Sequence, residues 1–206
     1  MKIYRIYIVI ISLIVLFLTT DNANSCPLGY SEDNVSVTYN DCTINVKFCY
    51  LCAAIGVGFD IKIVEYDIPN NCLDSVLYYR YKFDSVAHQN ILKRLMQVSG
   101  CLKPCSDPGW QIHVAEISSV ECKKLVNDVP NAMFHLISCE STAVCHKMYK
   151  VCVTFNENGE AILNYLFDNS FIEPGADCPW LEIPPIPNEI PDGWTSDCFV
   201  WGTCSF

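Results

Sequence analysis

Fourteen cysteines, every one at or after Cys26, constrain this chain more than any other feature. They are Cys26, Cys42, Cys49, Cys52, Cys72, Cys101, Cys105, Cys122, Cys139, Cys145, Cys152, Cys178, Cys198 and Cys204. Ahead of them stands an address. Lys2 and Arg5 give a positive start, an apolar run broken only by Ser12 covers 6–18, and small polar residues lead to Ser25. That layout predicts a secretory signal peptide over 1–25. The run is too short for a spanning helix, which needs about 20 apolar residues. An exported chain meets an oxidising environment, where cysteines pair. The even number allows all of them to pair, in a connectivity that spacing does not reveal. The expected location is secreted, periplasmic or at the cell surface, with no stable membrane span after cleavage.

Charge narrows the partners. Without the leader the chain keeps an excess of acidic residues, and no cluster of Lys or Arg is present. Phosphate backbones need a basic footprint, so no nucleic acid is expected. No D-x-D-x-D-G loop suggests calcium, and no cofactor or metal is expected.

Alternation with a period of two dominates the pattern. The best-defined unit is 139–167. Tyr149, Val151, Val153 and Phe155 share one face, Asn156-Glu157-Asn158-Gly159 turns the chain, and Ala161, Leu163, Tyr165 and Phe167 share a face on the return. This predicts a β-hairpin. A second hairpin is expected from Val35–Tyr39, Asn40-Asp41 and Cys42–Tyr50. Further strands are expected at Phe59–Tyr66, Ser75–Phe83, Trp110–Ile117 and Met133–Ser138. One main helix is expected at about 86–99, where Ile91, Leu92, Leu95 and Met96 form a stripe before Gly100. Ser118-x-x-Glu121 reads as a capping box for a short helix near 119–126. Cys42/Cys49 and Cys145/Cys152, equally spaced on two alternating strands, hint at an internal repeat.

These readings predict a disulfide-rich α+β fold with a mainly antiparallel sheet. The expected organisation is a signal peptide (1–25), a cystine-rich domain (26–178) and a Pro/Trp-rich C-terminal strap (179–206). The strap holds Trp180, Trp194 and Trp201, a possible binding surface for a glycan or peptide.

Chemistry is hard to find. Cys49-Tyr50-Leu51-Cys52 is a CxxC, but it ends a strand, whereas a reactive thiol favours a helix N-terminus. The four histidines are His88, His113, His135 and His146, and no HExxH, GxSxG or P-loop accompanies them. The acidic pairs Glu157/Glu160 and Asp74/Asp84 read as solvated turn charges. No catalytic residue is assigned. The expectation is a secreted non-enzymatic module, structural or binding an extracellular protein, glycan or surface. The alternative is an extracellular hydrolase whose carboxylates are brought together by the fold.

Overall fold

The computed structural model describes residues 26–52, 58–98, 101–105, 114–140, 142–187, 189–202 and 204. The leader, Gly100, the Trp110–His113 half of one expected strand and His113 itself lie outside the described residues. Among those described, nine strands form one sheet, and no helix is long and apolar enough to cross a membrane.

β1 (Ser31–Tyr39) and β2 (Cys42–Cys52) form the expected first hairpin. Asn40 and Asp41 close it at φ 48° and 63°, the positive values that a tight two-residue hairpin turn needs. β3 (Phe59–Pro69) pairs antiparallel with β2, and Val64 is an extra residue where the register jumps between Lys47 and Phe48. Such a bulge shifts the phase of the alternation. Phe59, Ile61 and Ile63 are buried before it, and Val64, Tyr66 and Ile68 from it onward.

A 3-10 turn (Asn70–Cys72) leads into α1 (Leu73–Tyr78) and α2 (Arg80–Val98). Two expectations are corrected here. The segment expected as a strand, Ser75–Phe83, is helical, and the main helix begins at Arg80 rather than Val86 and is preceded by α1. Leu73, Val76 and Leu77 recur at helical spacing and are buried, while Tyr78, Tyr79 and Tyr81 stay exposed. The tyrosines imitate a strand, but the period that reaches the core is helical. α2 buries Phe83, Ala87, Ile91, Leu92 and Leu95 against the sheet.

β4 (Val114–Val120), β5 (Cys122–Asp128), β6 (Met133–Ser138) and β7 (Val144–Phe155) build one long hairpin turned at 129–132. The capping-box reading of Ser118-x-x-Glu121 is therefore also corrected. Only Glu121 separates β4 from β5. β5 bonds on both edges, to β6 and to the tail, where Asn127 N donates to Trp194 O and Ser196 N to Leu125 O. Backbone bonds on both edges outweigh one local cap. β7 continues into β8 (Ala161–Glu173) through Asn156–Gly159, as expected.

The free side of β3 is shared. Phe59–Ile63 pairs in parallel with β4, and Glu65–Pro69 pairs antiparallel with β6. The arm of the long hairpin that lies beside β3 thus changes at Val64. The sheet divides there, into β4-β7-β8 on one side and β6-β5-β9 (β9, Phe199–Val200) on the other.

Seven disulfides brace this arrangement: Cys26–Cys49, Cys42–Cys72, Cys52–Cys101, Cys105–Cys152, Cys122–Cys178, Cys139–Cys198 and Cys145–Cys204. They fit an extracellular protein. Cys145 and Cys152 take different partners, as opposite faces of one strand require. The two seven-spaced pairs do not share a pattern, since Cys42 joins Cys72 while Cys178 joins Cys122.

Gly58 enters β3 at φ +63°, and a Cβ there would overlap the Val114 carbonyl oxygen. Gly58→Ala is expected to cost about 1–3 kcal/mol, read as a lower urea midpoint with unchanged m-value.

Candidate functional site: a cleft where the sheet divides

The division of the sheet at Val64 leaves an opening. A cleft of about 330 Å³ enters there, lined by residues of β3, β4, β6, β7 and β8. Strand alternation sorts its walls. Asp60 and Lys62 of β3, Glu116 and Ser118 of β4 and His146 of β7 project to the face away from α2. Ser119 and Ser138 project inward, at the ends where β4 and β6 part.

The outer rim is acidic. His146 Nδ1 lies 2.6 Å from Glu116 Oε1, and its Nε2 lies 3.3 Å from Glu173 Oε2. The ring stacks flat on Phe171 at 4.5 Å, which fixes its plane. Asp60 accepts a hydrogen bond from the Tyr30 hydroxyl, and Lys62 lies over the Tyr30 ring at 5.0 Å. Burial, then Asp60, push the Tyr30 phenol upward. Cys26–Cys49 pins this N-terminal segment, and Pro27 and Cys49 complete the rim.

Behind the inner end stands a buried polar network. Lys123 of β5, 0% exposed, donates to Ser138 Oγ at 3.3 Å and lies over the Tyr66 ring at 5.3 Å. Burial lowers its pKa to about 8, against the opposing pull of Asp84 and Glu65. Tyr66 donates to Asp84 Oδ1 at 2.8 Å, and Lys147 donates to Asp84 Oδ2 at 3.2 Å. Burial opposes charge on Asp84, but His88, Lys147 and the Tyr66 hydroxyl outweigh it and hold the carboxyl below its usual range. His88 Nδ1 meets Tyr149 Oη at 2.9 Å, while its Nε2 sits 3.5 Å from Asp84. Burial first, then the like charge of Lys147, push His88 down to about 4, so its ring is neutral at pH 7. Trp201 packs on Tyr66 at 5.4 Å and covers the network from the tail side.

A separate group lies on the outer face of β3 and β6. His135 Nδ1 is 2.9 Å from Glu65 and 2.8 Å from Asp67, and Nε2 is 3.4 Å from Asp128. Burial opposes the charged ring, but the hydrogen bonds it donates to Asp67 and Asp128 and the charge of Glu65 raise its pKa. Glu65, Asp67 and His135 are close enough to hold a cation together. The same geometry is equally that of an imidazolium satisfied by three carboxylates.

The residues expected from sequence are dispersed. Glu157, Glu160 and Asp74 are exposed, whereas Asp84, read as a turn charge, is in the core. Cys49 and Cys52 are bridged to Cys26 and Cys101, not to each other, so the CxxC holds no exchangeable pair. The three strap tryptophans do not form one surface. Trp201 is 1% exposed, Trp194 packs partly against the core, and Trp180 is 45% exposed. Ser138 and Lys123 carried no sequence motif. Lys147 did carry a sign: it shares a strand face with Tyr149, Val151 and Val153, and a lysine on an apolar face needs a buried partner.

No known protein family, curated protein or solved structure matches this chain.

Proposed function

We propose that the chain is a secreted, disulfide-braced binding and assembly module that joins a second copy of itself through the free edge of β8. The observation that carries this reading is β8 itself. It is 13 residues long, pairs only with β7 among the described residues, and leaves large apolar side chains exposed on both faces. These include Ile162, Tyr165, Leu166, Phe167, Phe171 and Ile172. Edge strands of soluble proteins are ordinarily short, charged or covered, whereas this one is long and its Ala161–Phe167 half carries no charge; the contacts of Cys204 lie farther on, at Ser170 and Phe171.

The local pattern supports a twofold arrangement. Ala161–Phe167 pairs regularly with β7, and Asp168 is the extra residue at the next register shift. An antiparallel second copy centred on Asn164 places Ile162 opposite Leu166 of the second copy on one face. On the other it places Leu163 opposite Tyr165 and Ala161 opposite Phe167. One step further in this register Asp168 meets Glu160 of the second copy at each end of the pairing, so the apolar pairs between them carry the contact and the dimer should tighten with added salt. A groove of about 290 Å³, bounded by Ser85, Gln89, Tyr149, Tyr165 and Phe167, lies beside the pairing edge and can receive aromatic rings.

The test uses the dyad, where a residue faces itself. Sedimentation velocity of the wild-type chain is expected to show a monomer–dimer equilibrium. Asn164 is exposed, so Asn164→Lys and Asn164→Asp should each fold. Each alone should be monomeric, because like charges directly opposite are destabilising, and an equimolar mixture should recover the dimer. A wild-type chain that stays monomeric at every concentration, or single variants that dimerise unchanged, would overturn the proposal.

A further inference from the structure

We propose that the cleft at the division of the sheet is an acyl-transfer site, with Ser138 as nucleophile and Lys123 as its general base. This goes beyond assembly through β8 and rests on different residues. Ser138 ends β6 at the inner end of the cleft, and Lys123 is its direct cross-strand partner on β5. The amine lies 3.3 Å from Ser138 Oγ. A serine becomes a nucleophile when a base within hydrogen-bond reach takes its proton, and a Ser–Lys pair is one of the arrangements that do this.

The surroundings bear on the role of Lys123. It has no carboxylate within ion-pair distance among the described residues, so its hydrogen bond to Ser138 is its principal polar contact. Its other neighbour is the face of Tyr66. A lysine kept purely for stability would be expected beside an acid. Asp84, the nearest buried acid, is instead engaged by Lys147, Tyr66 and His88. Burial of Lys123 favours the neutral amine, and a base is needed in that form.

The chemistry balances without a cofactor. Ser138 Oγ attacks the carbonyl carbon of an ester or amide, and its proton passes to the neutral Lys123 amine. The C–O or C–N bond breaks, and the Lys123 ammonium returns that proton to the departing alkoxide or amine. Water then attacks the acyl-serine, with Lys123 again taking and returning the proton. The entrance carries Asp60, Glu116 and Glu173 against Lys62. The substrate class is therefore a compact neutral or cationic ester or amide, and acidic substrates are repelled.

A fluorophosphonate probe and intact-protein mass spectrometry test this on the full-length oxidised chain. One adduct is expected, mapping to Ser138 by peptide analysis, with a labelling rate that rises with pH through a midpoint near 8. Ser138→Ala should abolish it. Lys123→Met should slow it by about 10²–10⁴-fold while circular dichroism shows the fold retained. If Lys123→Met fails to fold, the pH profile of the wild-type chain gives the second reading: a labelling rate that does not change between about pH 6 and 9 overturns the role of Lys123. No adduct at Ser138, or equal labelling in folded Lys123→Met, overturns the proposal. Ser138→Ala should leave the β8 dimer untouched, so the two readings fail separately.

Discussion

Lys147→Met is expected to destabilise the folded chain by about 3–5 kcal/mol. Lys147 and Asp84 are almost wholly buried and hydrogen-bonded to each other between α2 and β7. Removing the ammonium leaves a carboxylate in a dry core with the Tyr66 hydroxyl and a neutral His88 for company. Taking one member from a buried ion pair costs far more than replacing both. Asp84→Leu combined with Lys147→Met should therefore be closer to wild type than Lys147→Met alone. Urea unfolding of the wild type, Lys147→Met, Asp84→Leu and the double variant gives the coupling energy directly. A single variant that loses under about 1 kcal/mol would show that the pair is not the keystone of the helix–sheet contact.

The second large effect is acid lability. His88 titrates at about 4 when folded and at 6.5 when unfolded. Between these values the unfolded chain binds the extra proton, so stability falls as pH falls from 6.5 to 4. The displacement corresponds to roughly 3 kcal/mol. Asp84 adds to the loss below 3.8, because its folded carboxyl is depressed. His135 has the opposite sign. Its folded pKa is raised, so its contribution is complete below 6.5 and disappears as pH rises through the folded value. Thermal or urea midpoints measured from pH 4 to 8 should show the steep acid limb, and His88→Gln should flatten it. An unchanged limb in that variant would assign the lability to other groups.

What could be read in advance followed local rules. The hairpins at 31–52 and 144–173 announced themselves through alternation and through Asn-Asp and Asn-Gly turns, which act over a few residues. The helical stretch from Leu73 was misread because Tyr79, Tyr81 and Phe83 alternate, and only burial reveals that Leu73, Val76 and Leu77 set the phase. The cleft was illegible for a different reason. It depends on one extra residue, Val64, and on the exchange of hairpin arms beside it, neither of which leaves a residue pattern. The network was illegible too: Asp84 and Lys147 are 63 residues apart, and only the packing of α2 on β7 brings them together.

The disulfides have a consequence for how the molecule is made. No bridge joins two cysteines that are consecutive along the chain. A chain oxidised progressively from its N-terminus would meet the wrong partner first every time. Cys42 is available to Cys26 before Cys49 arrives, and Cys139 to Cys122 before Cys178. The partners of Cys122, Cys139 and Cys145 all come after residue 177, so half of the sheet must wait for the tail. A reduced chain oxidised from its N-terminus onward therefore reaches the native set through bonds made, broken and exchanged, and its refolding yield is expected to rise with the thiol-exchange capacity of the redox buffer.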